Sequence, residues 1–190
     1  MLNGSIALCD AGTGIGKTYA YLVAGVVFRR YRSRAGLPNQ PLLISTSSIA
    51  LQGAIIHDYL PFLSKVMMAD GMLDSPLRAV LRKGKSHYVC DARLMKRLQT
   101  ANLDRKNPLA KAALLSMRDH LDLDMAPHLS GYDRERICVP PTCDCGKTEC
   151  RYLCYLDVCA SERYAIQVCN HNLLLADAIH RGSGKRPILP

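Results

Sequence analysis

The amino-acid sequence predicts an α/β protein in which a small parallel sheet carries a phosphate-binding loop and is accompanied by a cysteine-rich segment. Three observations predict this class. A glycine-rich loop lies between a short apolar run and a long helical pattern close to the N-terminus. Short apolar runs and helical patterns then follow one another, which is typical of β–α units. Seven of the nine cysteines fall between Cys138 and Cys169.

The composition is that of a globular, basic protein. The chain has 190 residues, 48% of them hydrophobic, which suffices for one core or for one core and a small module. It has no apolar run of about 18 residues and no basic segment of a secretory signal, so we expect no membrane span and a cytoplasmic location. The formal charge of +9 comes from basic blocks that suit a nucleic-acid backbone or, equally, solvated helix faces.

The phosphate-binding loop has the sequence AGTGIGKT. Its glycines allow consecutive N–H groups to turn onto an anion, Lys17 would reach the β and γ phosphates, and Thr18 would offer its hydroxyl to Mg²⁺. The loop residues predicted to contact a nucleotide are Gly12, Thr13, Gly14, Ile15, Gly16, Lys17 and Thr18. Ser5–Cys9 is predicted as a buried strand before the loop, and Thr18–Arg34 as a helix after it. A glycine-rich turn that matches by chance is the alternative.

A second strand, loop and helix follow. Leu42–Ile44 is predicted as a strand, and the helix over Ile49–Tyr59 is expected to stop before Pro61. The loop between them is rich in hydroxyls, at the strand end where open α/β sheets carry their sites. It either contacts a nucleic-acid strand or only caps the helix.

The remainder alternates between helices, strands and an irregular region. We predict strands at Leu77–Leu81 and Ala165–Cys169, a basic turn at Arg82–Cys90, and helices at Asp91–Gln99, Pro108–Leu121, Arg151–Arg163 and Asn172–His180. Between Asp122 and Cys150 periodicity fades, so we expect this region to depend on a metal for its order.

The clustered thiols point to a metal, because a reducing compartment does not favour disulfides. Histidine is absent at zinc-finger spacing, and the cysteine gaps do not form the two close pairs of a zinc ribbon. All-thiolate ligation suits either a structural Zn²⁺ or an iron–sulfur cluster, and the spacing leaves both open, along with the alternative that no metal is bound.

The order of five segments resembles that of one enzyme group. AGTGIGKT is followed by LLISTSSIALQ, LRKGKSHYVC, the cysteine-rich segment and QVCNHNLLLAD. This series is similar to the DinG/XPD group of superfamily-two ATP-dependent DNA helicases, which have a RecA-like motor domain interrupted by a [4Fe-4S] module and include DNA-repair enzymes. The resemblance covers nearly the whole chain.

The resemblance implies roles for individual residues. Lys17 and Thr18 would be the catalytic residues that hold ATP and Mg²⁺. Single-stranded DNA or DNA junctions would be the partner, contacted by Ser45, Thr46, Ser47 and Gln52. The candidate cluster ligands are Cys90, Cys145, Cys150 and one of Cys143 and Cys154. Cys9, Cys138, Cys159 and Cys169 are expected to be small buried apolar side chains.

The resemblance also implies a division of the chain. Residues 1–82 and 164–190 would belong to the motor domain, and residues 83–163 would form the insertion. The Asp-Glu-Ala-His motif of the group is absent, and Asp177 in LLLADAIH is its nearest imitation. We therefore expect an N-terminal portion of a helicase, inactive alone, with the missing half as a candidate partner chain. The alternatives are a small P-loop protein with a zinc knot and a non-enzymatic nucleic-acid-binding module.

Overall fold

The structure, a computed structural model, describes residues 7–100, 108–143, 150–161, 163–184 and 187–190. Within these residues the sheet has three parallel strands: β1 (Leu42–Ser45), β2 (Ala79–Arg82) and β3 (Ile166–Cys169). The order is β1-β3-β2, so the last strand in sequence lies between the other two.

Helices surround the sheet and form the cysteine-rich region. The α-helices are α1 (Lys17–Arg34), α2 (Ile49–Ala54), α3 (Leu60–Ala69), α4 (Asp91–Thr100), α5 (Pro108–Ser116), α6 (Gly131–Ile137), α7 (Arg151–Ala160) and α8 (His171–Gly182). Shorter helical turns are a π-turn at Ile55–Tyr59 and 3₁₀ turns at Lys85–His87 and Leu123–Met125.

Strand β3 is buried along its whole length, as expected for a central parallel strand. Ile166 pairs with Leu42 on one side and with Ala79 on the other. Because all three strands run in the same direction, their carboxyl ends at Ser45, Arg82 and Cys169 lie along one edge of the sheet.

The main hydrophobic core packs α1 and the α2–α3 helical segment against the sheet. Leu22 and Val26 of α1 meet Ile166 and Val168 of β3 in this core. A side chain at Gly25, in the middle of α1, would overlap the side chain of Leu42. The glycine therefore lets the helix lie close to β1.

Two further hydrophobic clusters lie in the cysteine-rich region. One joins α4, α5 and α6 through residues that include Leu94, Leu114 and Ile137. The other gathers Tyr88 and Tyr152 with Cys90 and Val139. The buried residues of both clusters come only from positions 88–152 in the described part of the chain.

Two expectations about helices are wrong. The helix beginning at Ile49 does not stop before Pro61, because the π-turn at Ile55–Tyr59 widens the backbone ahead of the proline. Pro61 then falls in the first turn of α3, where a missing N–H is tolerated. The predicted helix from Pro108 ends at Ser116 instead of Leu121, since a turn begins there.

The region between Asp122 and Cys150 is more regular than the sequence predicts. It contains α6, whose first turn is capped by Ser130: its Oγ accepts a hydrogen bond from the Asp133 amide at 3.1 Å. Arg97 of α4 forms an ion pair with Asp133 at 2.6 Å. Among the residues of this short helix only Asp133 and Ile137 are buried, so it has no apolar periodicity to detect.

The predicted strand before the phosphate loop is not found in its described part. Residues 7–9 form no strand, and Leu8 is 95% exposed, because no described strand pairs with them. Ser5 and Ile6 lie outside the described residues. Cys9 is therefore exposed, contrary to the expectation of a buried thiol. No described helix is both long and apolar enough to cross a membrane.

Candidate functional site

The phosphate loop has the backbone geometry that its glycines permit. Gly14 and Gly16 have φ angles of 78° and 84°, in the left-handed region that favours glycine. Gly16 is the N-cap of α1, so the helix begins directly at Lys17. The first amides of a helix have no partner within the helix and attract anions. The loop therefore leads into an amide-rich helix start, as the motif requires.

Lys17 folds back over its own loop. Its Nζ donates hydrogen bonds of 2.7 Å to the carbonyl oxygens of Ala11 and Gly12. Lys17 and the loop residues 12–16 are exposed, and Thr18 is half-buried. The ammonium group thus bonds to neutral carbonyls that a phosphate oxygen could replace with a stronger, charge-assisted partner.

A cleft lies at the carboxyl edge of the sheet. Its volume is about 340 Å³, and its lining comes from the end of β2, from the segments that follow all three strands and from Asp124. We call it the strand-end cleft, and define it by its lining residues Ser47, Ile49, Gln52, Leu81, Arg82, Lys83, His87, Asp124, Asn170, His171 and Asn172. Two of the four predicted DNA-contacting residues, Ser47 and Gln52, line it directly.

Hydrogen bonds fix the hydroxyl-rich loop beside the cleft. Gln52 Nε2 donates to the Thr46 carbonyl at 2.9 Å, and Ser48 Oγ caps α2 by accepting from the Leu51 amide at 3.1 Å. Ser45 Oγ lies 2.8 Å from Nδ1 of His171, which begins α8. Capping thus explains Ser48, while the Ser47 side chain stays exposed at the cleft.

The positive charge of the cleft is largely neutralised. Lys83 Nζ contacts Asp122 at 2.5 Å and Asp124 at 2.8 Å, and Arg134 contacts Asp124 at 2.7 Å. Burial works against the charge on Lys83, but its bonds to the two carboxylates leave its pKa raised. Burial likewise opposes the charge on Asp124, yet bonds from Lys83 and Arg134 hold its pKa well below the usual range. The cleft therefore offers hydroxyl, amide and imidazole groups more than unpaired cations.

The structure adds residues to the cleft that carried no predicted role. His171, Asn170 and Asn172 form the start of α8, directly after β3 ends. A run of three polar side chains immediately after a buried strand is the signal that could have identified them. Nothing in the sequence could show that Lys83 pairs with carboxylates about forty residues later along the chain.

Asp177 is held by hydrogen bonds within the fold. Its carboxylate is buried, and it accepts hydrogen bonds from the amides of Ile188 and Leu189 at 2.6 and 3.1 Å and from Arg181 at 2.7 Å. Burial alone would raise the pKa of Asp177, but these donors outweigh it and lower the pKa. Asp177 thus ties α8 to the segment at 187–190.

The candidate metal ligands are brought together only in part. Cys90 and Cys150 pack in the same cluster with Tyr88 and Tyr152, and the Cys154 amide bonds to the Cys150 carbonyl at 3.0 Å. Cys143 and Cys154 are exposed, and Cys145 lies outside the described residues. Within the described ranges, no three Cys, His, Asp or Glu side chains form a group that could hold a metal ion.

Two of the remaining cysteines are buried apolar side chains, as predicted. Cys159 and Cys169 have no solvent exposure. Burial raises the pKa of both thiols, which disfavours the thiolate form that binds metals. Cys138 is half-buried, and its Sγ donates to the Glu135 carbonyl at 3.3 Å.

Tyrosines join the cysteine-rich region to the sheet. Tyr155 donates a hydrogen bond to the Leu81 carbonyl at 3.2 Å and contacts the Tyr88 hydroxyl at 3.1 Å. Burial raises the pKa of all three clustered tyrosines, to about 12 for Tyr152. These hydroxyls therefore stay neutral at physiological pH.

Comparison with known proteins gives the family context. The DinG helicase of Photobacterium profundum is 35% identical over 85 residues, or 45% of this chain. The YoaA helicase of Haemophilus influenzae is 26% identical over 206 aligned positions, which cover 99% of this chain. The chain resembles the DinG and YoaA ATP-dependent DNA helicases. The family resemblance predicted from the five segments is thereby confirmed.

A third relative is named for a different activity. The 3′–5′ exonuclease DinG of Bacillus subtilis is 32% identical over 113 residues, or 60% of this chain. No family model matches the chain. The chain spans 10%, 28% and 11% of the lengths of these three DinG and YoaA proteins, in the order given.

Proposed function

We propose that this chain is part of an ATP-dependent DNA helicase, in which the phosphate loop binds ATP with Mg²⁺ and the strand-end cleft contacts single-stranded DNA. The observation that carries the proposal is the phosphate loop itself. Two left-handed glycines lead directly into α1, and Lys17 lies over the loop carbonyls. The relatives named as DinG and YoaA helicases favour a helicase as the class of protein in which this loop acts.

In this proposal Lys17 exchanges two carbonyl oxygens for the β and γ phosphate oxygens of ATP. Each carbonyl bond is 2.7 Å long and solvent-exposed, so the exchange costs little desolvation. The unpartnered amides at the start of α1 add donors to the phosphates. Thr18, one residue into the helix, would offer its hydroxyl to Mg²⁺.

The strand-end cleft would hold DNA through neutral donors and acceptors. Ser47, Asn172 and His171 are exposed there, whereas Lys83 is occupied by Asp122 and Asp124. Hydroxyl, amide and imidazole groups bind phosphate and sugar oxygens without reading the sequence. Such contacts suit a motor that moves along DNA irrespective of sequence.

We propose a division into motor and insertion at residues 82/83 and 163/164. Among the described residues, the buried main core draws only on positions 22–67 and 166–168, whereas the two clusters of the cysteine-rich region draw on positions 88–152. This separation supports the division. Because Asp177 is engaged with Arg181 and the 187–190 segment, we also propose that the Mg²⁺-binding carboxylate comes from another segment or a partner chain.

We propose that the insertion holds a [4Fe-4S] cluster through Cys90, Cys145, Cys150 and one of Cys143 and Cys154. The common packing of Cys90 and Cys150 beneath two tyrosines supports the thiol set. Such a cluster, once bound, would cross-link the loop before α4 to the start of α7. Iron and sulfide analysis tests this. Stoichiometric zinc in a colourless protein would instead support the alternative of a zinc knot.

The nucleotide-binding test uses a fluorescent ATP analogue with Mg²⁺ and the 190-residue chain. Lys17→Ala should weaken binding roughly 10- to 100-fold, the worth of a charged hydrogen bond. Lys65→Ala removes an exposed lysine from α3 and is the matched control. Equal affinities for wild type and Lys17→Ala would contradict the proposed ATP site.

The DNA-binding test uses fluorescence anisotropy with labelled oligothymidylate. Ser47→Asp places a negative charge in the strand-end cleft and should weaken binding about tenfold through repulsion of the phosphates. Ala178→Asp adds the same charge to an exposed position of α8. If both variants bind like wild type, the cleft is not the DNA site.

A further inference from the structure

The amino edge of the sheet, opposite the strand-end cleft, carries a second and larger groove. Its volume is about 750 Å³. It runs between the end of α1 and the segments that lead into β1, β2 and β3. We call it the amino-edge groove; the lining residues that matter here are Arg30, Arg34, Asn39, Arg78 and Arg163 around the apolar floor of Met72, Leu73 and Leu77.

Apart from Arg29, which donates to the Gln40 carbonyl at 2.6 Å, the arginines of this groove differ from most others in the described part of the protein. Arg82, Arg134 and Arg151 each bond to carbonyl, amide or carboxylate oxygens of the protein. The guanidinium groups of Arg34, Arg78 and Arg163 are exposed, and none of them has a partner among the described residues. Arg30 is half-buried and equally without a partner there. Asp74 is the only acidic residue of the described lining.

The floor of the groove is apolar and continuous with the main core. Met72, Leu73 and Leu77 are partly buried and pack against the core residues beneath them. Among the described residues, no aromatic side chain lines the groove. A groove that binds single-stranded nucleic acid usually offers aromatic rings on which bases stack, as the exposed imidazole rings of His87 and His171 do in the strand-end cleft. A basic rim over an aliphatic floor is instead complementary to a peptide with both acidic and aliphatic side chains.

Asn39 adds an unsatisfied hydrogen-bond acceptor to the lining of the groove. Its Oδ1 is the only buried side-chain oxygen or nitrogen without a hydrogen-bond partner among the residues that the structure describes. This atom accepts hydrogen bonds, and a ligand in the groove is one source of a donor for it once the side chain turns toward the groove. A peptide backbone supplies N–H donors, whereas phosphate groups at neutral pH supply almost none.

We propose that the amino-edge groove binds an acidic peptide segment of a partner protein, with carboxylates on the arginine rim and aliphatic side chains on the floor. The strand-end cleft remains available to DNA, because the two lie at opposite ends of the same parallel strands. The groove includes no residue of the phosphate loop, so a bound peptide and a bound nucleotide would not compete for the same atoms. The positive charge of Arg34 in the last turn of α1 also interacts favourably with the helix dipole. The test distinguishes this purely structural role from peptide binding.

The test measures the fluorescence anisotropy of a fluorescein-labelled peptide of roughly ten residues in which Glu alternates with Leu. Exposed grooves commonly bind short peptide segments of this kind. The double variant Arg34→Glu/Arg78→Glu should weaken binding at least about 100-fold, because it replaces attraction by repulsion. Arg93→Glu/Arg136→Glu makes the same charge change on α4 and α6 and should stay within about twofold of wild type. Lys17→Ala should not change the peptide affinity.

Two further arms keep the proposal falsifiable. Arg34→Ala/Arg78→Ala tests the groove without introducing repulsion, and its affinity for the peptide should fall roughly tenfold. Urea unfolding confirms that each variant is folded. A peptide with Ser in place of Leu should bind at least about tenfold more weakly if the floor contributes. The proposal is overturned if wild type does not bind the peptide, if both charge-reversal pairs weaken it equally, or if oligothymidylate displaces it and shows the same dependence on Arg34 and Arg78.

Discussion

The phosphate loop and the strand-end cleft are held together in different ways. The loop relies on its own backbone angles and on hydrogen bonds from Lys17 to residues five and six positions earlier. The cleft relies on contacts between distant segments, such as Ser45 with His171, which are 126 positions apart. The loop is therefore a local structure that needs little of the fold, whereas the cleft exists only when the whole sheet is formed.

The largest expected loss of stability comes from a substitution at the centre of the sheet that supports the cleft. Gln167 is fully buried, accepts a bond from Arg82 at 2.7 Å and donates one to the Cys159 carbonyl at 2.6 Å. Gln167→Leu leaves part of a buried guanidinium unsatisfied and should lower the free energy of unfolding by about 3 kcal/mol. Urea denaturation measures this, with the exposed Gln99→Leu as control. An unchanged midpoint would show that the cleft does not depend on this network.

The second effect concerns Asp177 and depends on pH. Asp177→Asn should cost about 2 kcal/mol at pH 7, because charge-assisted bonds to Arg181 and two amides are weakened. Since the folded pKa of Asp177 is lowered, its contribution is complete above the unfolded pKa of about 3.9 and is lost as the pH falls through the folded pKa. Urea unfolding at pH 7 and at pH 3 should therefore show a smaller difference between wild type and variant in acid. A difference that grows in acid would refute this assignment.

A third substitution tests the contact that joins two strand ends across the cleft. His171→Ala removes the partner of Ser45 and an exposed donor from the cleft, so oligothymidylate affinity should fall about tenfold. His180→Ala, later on the same helix, is the control and should bind like wild type. Equal losses for the two variants would mean that the histidine acts through net charge or helix stability.

The smallest effect should be confined to the phosphate loop. Gly16→Ala forces a side chain into a backbone with φ of 84° and should reduce ATP-analogue affinity about fivefold, with no change in urea unfolding. Gly12→Ala is the comparison, because Gly12 does not have a positive φ and has open space around it. A loss of global stability in Gly16→Ala would show that the loop is coupled to the sheet after all.

Much of the fold could be predicted because it is encoded locally. The loop, α1 and the positions of all three strands follow from glycine placement and from short apolar runs. The placement of β3 between β1 and β2 could not be predicted, since no local signal specifies which strands pair. The continuation of the helix through Pro61 depended on a π-turn that has no sequence signature known to us.

The candidate site was predictable to the same extent. Gly14, Gly16 and Lys17 are identified by spacing alone, and the structure gives them the expected left-handed backbone and helix start. The partners of the cleft were not predictable, because they arise from tertiary contacts. His171 gains its place only when β3 lies beside β1, and the neutralisation of Lys83 requires the turn at Asp122.

The close approach between Gly25 of α1 and Leu42 of β1 is a point about which the helix could tilt. The helix is 18 residues long, or about 27 Å, with Gly25 near its midpoint against Leu42 of β1. Its first residue is Lys17, and Arg30 and Arg34 lie near its other end at the amino-edge groove. Because a helix of this length is stiff, a tilt about Gly25 moves its two ends in opposite directions. A tilt of α1 would therefore move the arginines and the lysine at the same time, without any change in the residues between them.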